Sequence, residues 1–207
     1  MIIKRIAAIC KAAGRVRLYD AENGEQWLGD GGAVYSMGGL PHMDMDSVCY
    51  VLDLTAKERD KLSIRAEFLP DTFNWEDEDE TEQPVTIPEL TIQYGSRELV
   101  PVSTSAGVLL INPVYFKPLQ DIRNGLEFFE RTTPDGGLTY LVAKSGWVLR
   151  AVILPLRADA YPGLAETLER VAQGLAQAAQ SKASRSGAAP DGMQFEIDPE
   201  TGEVLED

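Results

Sequence analysis

The chain has a single histidine, His42, in 207 residues. Acid–base and nucleophilic catalysis most often use an imidazole near neutral pH, and one histidine leaves no second imidazole for a zinc-binding pair. Cysteine is almost as scarce. Cys10 and Cys49 both sit in apolar-periodic segments, the setting of buried free thiols in a reducing cytoplasm, not of a disulfide or a metal pair. No apolar run approaches the roughly 18 to 20 residues that span a bilayer. The opening stretch Met1 to Lys11 is basic and apolar like a leader, but Lys11 interrupts it and no small-residue cleavage site follows. A phosphate-cradling loop is missing too: Gly29-Asp-Gly-Gly32 lacks GxGxxG spacing and sits inside a hairpin instead of opening a helix.

Lysine and arginine are absent from two stretches that carry the net charge of −14. Asp71 to Glu82 holds seven carboxylates and Asp191 to Asp207 holds seven more; with those set aside, the remaining 19 acidic residues match the 19 basic ones. Blocks of one charge repel themselves and stay solvated, so the acidity is assigned to a linker and a tail. A local basic face on the balanced body can then still act on nucleic acid within a Debye length of roughly 8 to 10 Å.

What is present is a mixed pattern of helix and strand periods. Ile2, Ile6, Ile9 and Ala13 fall on one helical face with Lys4, Lys11 and Arg15 opposite, and Gly14 ends the helix. Val16 and Leu18 alternate in a strand, Asn23-Gly24 makes a tight turn, and one returning strand with a bulge or bend at its glycines is expected from Glu25 to about Ser36. Asp44 or Asp46 caps a short helix carrying Val48, Cys49 and Leu52, and Thr55 to Glu58 has capping-box spacing. Strands follow at 63–69, 90–94, 99–103 and 108–111. Asn112-Pro113 caps a helix that Pro118 interrupts, so the helix is expected to begin only there. Three strands at 126–131, 139–144 and 147–156 close the unit. Leu164, Leu168, Val171 and Leu175 mark a last helix, and Phe195 to Leu205 reads as a small hairpin, a flexible tail or a partner-binding peptide. Residues 33–68 and 108–131 both read strand, helix, strand, a faint duplication.

These elements predict an α+β protein of mostly antiparallel sheets with amphipathic helices. The expected organisation is an N-terminal α+β subdomain at 1–69, an acidic proline-containing linker or loop at 70–88, a C-terminal α+β subdomain at 89–180 and a flexible acidic tail at 181–207. His42, Asp44 and Asp46 are the one cluster resembling a ligand set; three groups on a loop are too few, and no metal or cofactor is expected. Phe73 and Trp75, beside the acidic block, read either as an exposed docking motif or as rings folded onto the core.

The block from Val108 to Ala158 resembles the last half of the final domain of a bacterial DNA polymerase sliding clamp. The matching residues are Asn112-Pro-Val-Tyr115-Phe, the strands around Phe128 and Leu141, and Ile153-Leu-Pro-Leu-Arg157, about a quarter of the chain. It departs from that family in the residues beyond the motif, in Pro118, and in a length that accommodates two clamp-like subdomains at most. The resemblance implies a non-enzymatic clamp-like or clamp-derived accessory protein of a phage or mobile element, cytoplasmic and homo-oligomeric. It would act by encircling duplex DNA without sequence preference and by binding partner peptides. It also implies that Lys4, Lys11, Arg15, Lys117 and Arg123 face DNA and that Pro155, Leu156 and Arg157 form the peptide groove. Two other readings stand beside it: an interaction or virion-associated module using the acidic linker and tail, and a small enzyme with a carboxylate site around His42 and Asp46.

Overall fold

The structure, a computed structural model, describes residues 3–122 and 125–156, together with Leu164, Arg170, 196–197 and 204–205. The chain divides into two compact units, 1–156 and 157–207. In the first, α1 (Ile3–Ala13) buries Ile6, Ala7, Ile9 and Cys10, the face expected from the 3.6-residue period, and ends where Gly14 turns to φ +68°. Ile2 lies outside the described residues.

A three-stranded meander follows: β1 (Arg15–Asp20), β2 (Gln26–Gly29) and β3 (Ala33–Ser36). The single returning strand expected from Glu25 to about Ser36 is thus two strands. The break is at Asp30, whose Oδ1 accepts from the N–H groups of Gly32 and Ala33 at 2.9 and 3.0 Å. Gly31 takes φ +87°, and a Cβ on Gly29 would run into the Ala33 carbonyl, so the turn is written in glycine. Asp44 caps α2 (Met45–Val51) by accepting from the Ser47 N–H at 2.8 Å, and the Thr55–Glu58 capping box starts α3 (Ala56–Arg59). β4 (Ser63–Phe68) then lies parallel to β1.

The segment expected as a linker or loop contains a short strand, β5 (Gln83–Val85), paired antiparallel with Phe128 to Glu130. β6 (Ile92–Tyr94), β7 (Arg97–Thr104) and β8 (Gly107–Ile111) form a separate three-stranded sheet. Next comes a 3₁₀ helix, Pro113–Ile122. Pro118 does not interrupt it as expected. An α-helical path would press the proline ring against the carbonyl four residues back; in the 3₁₀ path Pro118 still lacks the N–H that would reach the Tyr115 carbonyl, and the Tyr35 hydroxyl donates to that carbonyl at 2.8 Å instead. Asn112 starts the helix, its Oδ1 accepting from Val114 and its carbonyl from Tyr115, both at 3.1 Å. A second meander closes the unit: β9 (Leu126–Thr132), β10 (Thr139–Ser145) and β11 (Val148–Ile153).

Eight strands form one sheet in the order β4-β1-β2-β3-β11-β10-β9-β5, antiparallel throughout except β4 on β1. The two expected subdomains therefore share a sheet, joined where β3 pairs with β11 through Val34 and Val152. The arrangement is palindromic: helix and three-strand meander, twice, meeting at their last strands. This repeat of helix and meander spans Ile3–Ser36 and Pro113–Ile153, while 33–68 and 108–131 also each run strand, helix, strand as expected.

Alternation along the strands gives the sheet two apolar faces. On one face Val16, Leu18, Leu28, Tyr35, Leu141 and Ala151 pack under α1, the 3₁₀ helix and the β7/β8 hairpin. On the other, Trp27, Val34, Tyr140, Val142, Leu149 and Val152 pack under Phe73 and Trp75. A bulge opposite Ala143/Lys144, with Arg150 as the extra residue, turns Leu149 to this second face. In the second unit, β12 (Glu196–Ile197) and β13 (Val204–Leu205) pair antiparallel. Leu164 and Arg170 have helical backbone, and the rest of the helix expected there lies outside the described residues. No helix among the described residues is long and apolar enough to cross a membrane.

Candidate functional site

The residues expected to face DNA lie on and next to the two helices. α1 and the 3₁₀ helix pack side by side, held by Arg5, whose Nη1 donates to the Lys117 carbonyl at 2.6 Å and to Gln120 Oε1. Lys4 and Lys117 are exposed on these neighbouring helices, and Arg15 is exposed just past the end of α1. Lys11 is differently placed. Its Nζ lies 3.0 Å from Glu58 Oε1 and donates to the Asp53 carbonyl, also at 3.0 Å, which ties α1 to the α2–α3 connection. Arg123 lies outside the described residues. Arg5, the clasp between the helices, is missing from the expected set, although the wheel separates it from Lys4: at about 100° per residue it falls about 40° from Ile9, at the margin of the apolar face.

Of the expected peptide groove, Leu156 lines a cleft of about 440 Å³ with Leu99, Pro113, Val114 and Arg97. Its N–H donates to the Leu110 carbonyl at 2.8 Å, so the chain after β11 is bound to β8. Pro155 is half-buried beside it, and Arg157 lies outside the described residues. The cleft wall joins the residue before the 3₁₀ helix to the end of the second meander, the two parts of the family-like motif.

The other charged groups of interest are engaged within the fold. His42 is solvent-exposed, with Nε2 3.9 Å from Asp20 Oδ1, while Asp46 reaches Arg59 at 3.4 Å; the two side chains expected to share a carboxylate site have different partners. No group of three or more His, Cys, Asp or Glu side chains converges as a ligand set among the described residues. Asp30 accepts from the Tyr115 hydroxyl at 3.2 Å, and the Tyr35 hydroxyl donates to the Tyr115 carbonyl at 2.8 Å. Burial, then the Asp30 charge, pushes both phenols well above their ordinary range. This chain of bonds locks the 3₁₀ helix to the β2–β3 turn.

The acidic segment, expected as a linker or loop, is a loop fastened to the sheet, with Asp71, Glu76, Asp77, Glu78 and Glu80 exposed. Arg131, fully buried, donates through Nε and Nη2 to Glu82 Oε2 at 2.9 and 2.6 Å, through Nη1 to the carbonyls of Asn74 and Glu76, and through Nη2 to that of Asp77. All five guanidinium N–H groups are thereby satisfied. Lys144 completes the cluster, its Nζ 2.8 Å from Glu82 Oε1 and 5.2 Å from the centre of the Phe129 ring. Asp77 Oδ1 accepts from the Leu149 N–H at 2.7 Å. Phe73 and Trp75 fold onto the sheet, edge-on to Tyr140 and Trp27 at 5.1 and 5.4 Å. On the opposite face Glu130 accepts from the Ser105 N–H at 2.9 and 3.0 Å and from its hydroxyl, pinning the β7/β8 hairpin. No protein-family model, no curated protein and no solved structure matches the chain.

Proposed function

We propose that the chain is a non-enzymatic, clamp-like accessory protein whose α1/3₁₀ face follows the phosphates of duplex DNA and whose Leu156 cleft takes a partner peptide. The observation that carries this reading is the palindromic arrangement that sets both helices side by side on one face of a continuous sheet. A pair of helices backed by eight strands is a stiff platform. Exposed Lys4, Arg15 and Lys117 supply charge there to phosphates, contacts that position a protein on a duplex without reading bases. The non-enzymatic part rests on the buried ionisable groups. Asp30, Glu130, Arg131 and Lys144 are each taken up in bonds that hold elements together. Encirclement requires several copies around the duplex.

The test is duplex binding across a salt series, comparing the protein with the triple variant Lys4→Glu, Arg15→Glu, Lys117→Glu. Each phosphate neutralised contributes a slope of about −0.9 in log affinity against log salt, so the native protein is expected to show a steep, sequence-independent slope and the variant a flat one at unchanged melting temperature. Retention on closed circular DNA that is lost on linearisation separates encirclement from simple adhesion. Absence of any salt-sensitive association by the native protein refutes the reading.

A further inference from the structure

The two edges of the eight-stranded sheet are built differently. β5 is three residues long and contains Pro84, which cannot donate to a further strand. β4 has six residues, no proline, and five of the six exposed. The N–H of Ser63 bonds the Gly14 carbonyl at 3.0 Å and that of Leu69 bonds the Asp20 carbonyl at 3.1 Å. With the two-residue period of a strand, 63, 65, 67 and 69 turn their bonding groups toward β1, and Ile64, Ala66 and Phe68 turn theirs outward. α2 covers the α1 side of this strand, where Met45, Val48 and Cys49 share a core cluster with Ile64. Phe68 is 78% exposed. Arg65 and Glu67 lie 3.9 Å apart with side chains 66% and 42% exposed.

We propose that β4 pairs antiparallel with β4 of a second copy about a two-fold axis at Ala66. Hydrogen-bonded pairs form only between residues whose groups point outward, so the register shifts in steps that keep Ile64, Ala66 and Phe68 in play. A dyad at Arg65 sets arginine against arginine, and one at Glu67 sets glutamate against glutamate. With the dyad at Ala66, Arg65 faces Glu67 of the other copy in both directions, Ile64 faces Phe68, and all three outward residues bond. The flanks agree. Lys61, exposed just before β4, comes to the end marked by Asp71, which with Phe68, Glu22 and Glu76 lines an acidic cleft of about 880 Å³. Among the described residues neither Lys61 nor Asp71 has an ionic partner of its own. Such a pairing is isologous and closes at two copies, and it does not rest on the DNA reading, since it is measured without nucleic acid.

The experiment is sedimentation of the full chain over a concentration series reaching the millimolar range. The native protein is expected to shift from monomer to dimer. Arg65→Glu and Glu67→Arg each set like charges opposite one another twice and are expected to weaken the dimer roughly tenfold or more. An equimolar mixture of the two variants is expected to dimerise again, because each supplies the charge the other now lacks. Glu67→Arg also brings a cation beside Arg17, so melting temperatures are taken alongside. Ala66→Pro, which removes an outward N–H and no bond to β1, is the second variant and is expected to be monomeric. A native protein that stays monomeric throughout, or single variants that dimerise as well as the native chain with no gain on mixing, overturns the pairing.

Discussion

Replacing Arg131 by methionine removes the group that holds the acidic segment to the sheet. The guanidinium is fully buried and meets one carboxylate and three backbone carbonyls. Methionine has similar length and fills the volume, so the loss is in bonding and not in packing. It leaves the carbonyls of Asn74, Glu76 and Asp77 without their donor and Glu82, only 12% exposed, with Lys144 as its remaining cation. Breaking a buried pair by removing one partner costs about 3–5 kcal/mol. A domain of this size loses about 2–4 °C per kcal/mol, so the expected fall in melting temperature is on the order of 10 °C. The segment relieves part of that cost by lifting off and solvating its carbonyls, at the expense of the burial of Phe73 and Trp75. Arg131→Lys is expected to fall between, since an ammonium has three donors against five acceptor contacts and lacks the planar fork. Thermal unfolding followed by tryptophan emission, with limited proteolysis between 70 and 82, checks both parts. A melting point within about 2 °C of native and no new cleavage would refute the reasoning.

Two further perturbations follow from titratable groups. Backbone and side-chain hydrogen bonds from Thr55, then Lys11, hold the Glu58 carboxyl down to about 2 against an ordinary 4.5. A depressed carboxylate contributes stability that is present above 4.5 and lost as pH falls toward 2, so amide protection of 59–62 is expected to decline through that window and to be flat in Glu58→Ala; a native profile equally flat counts against the capping role. Burial, then Asp30, pushes the Cys10 thiol up to about 12 from 9. It stays protonated in the fold, and its contribution is lost as pH rises from 9 to 12; at pH 8 a thiol reagent is expected to label it only after denaturation, and prompt labelling of native protein would show the site is open.

Much of the first unit is legible because the deciding interactions are local. The Ile6/Ile9 stripe, the Asp44 cap and the Thr55–Glu58 box each act within one or two helical turns, and the structure keeps all three. What fastens the acidic segment to the sheet is illegible in the sequence for the opposite reason. Its charge density signals solvation, yet the cations that neutralise Glu82 stand 49 and 62 residues away in sequence, and no local rule brings Arg131 and Lys144 to one face of β9 and β10. β5 went unseen with it, a three-residue strand holding a proline. Pro118 misled differently: it forbids an α-helix and was therefore read as a break, whereas a 3₁₀ helix accepts it.

The placement of charge on opposite faces reconciles the seven carboxylates of 71–82 with the proposed phosphate-following role. Along β9, Glu130 turns to the face that carries the helices and Arg131 to the other, so the acidic segment is fastened to the side of the sheet away from Lys4 and Lys117. A layer packed on each face of a sheet stands about 10 Å from it, which separates the two charged surfaces by roughly 20 Å. At physiological salt that is about two screening lengths. Of the carboxylates at 71–82, Glu82 is neutralised by Arg131 and Lys144, and the set would act on a duplex at the helix face only through screened solvent. They act directly on whatever approaches the opposite face, where Trp27, Phe68 and Trp75 line the acidic cleft. One sheet thus keeps two electrostatically distinct surfaces apart, and the sequence-wide charge describes neither of them.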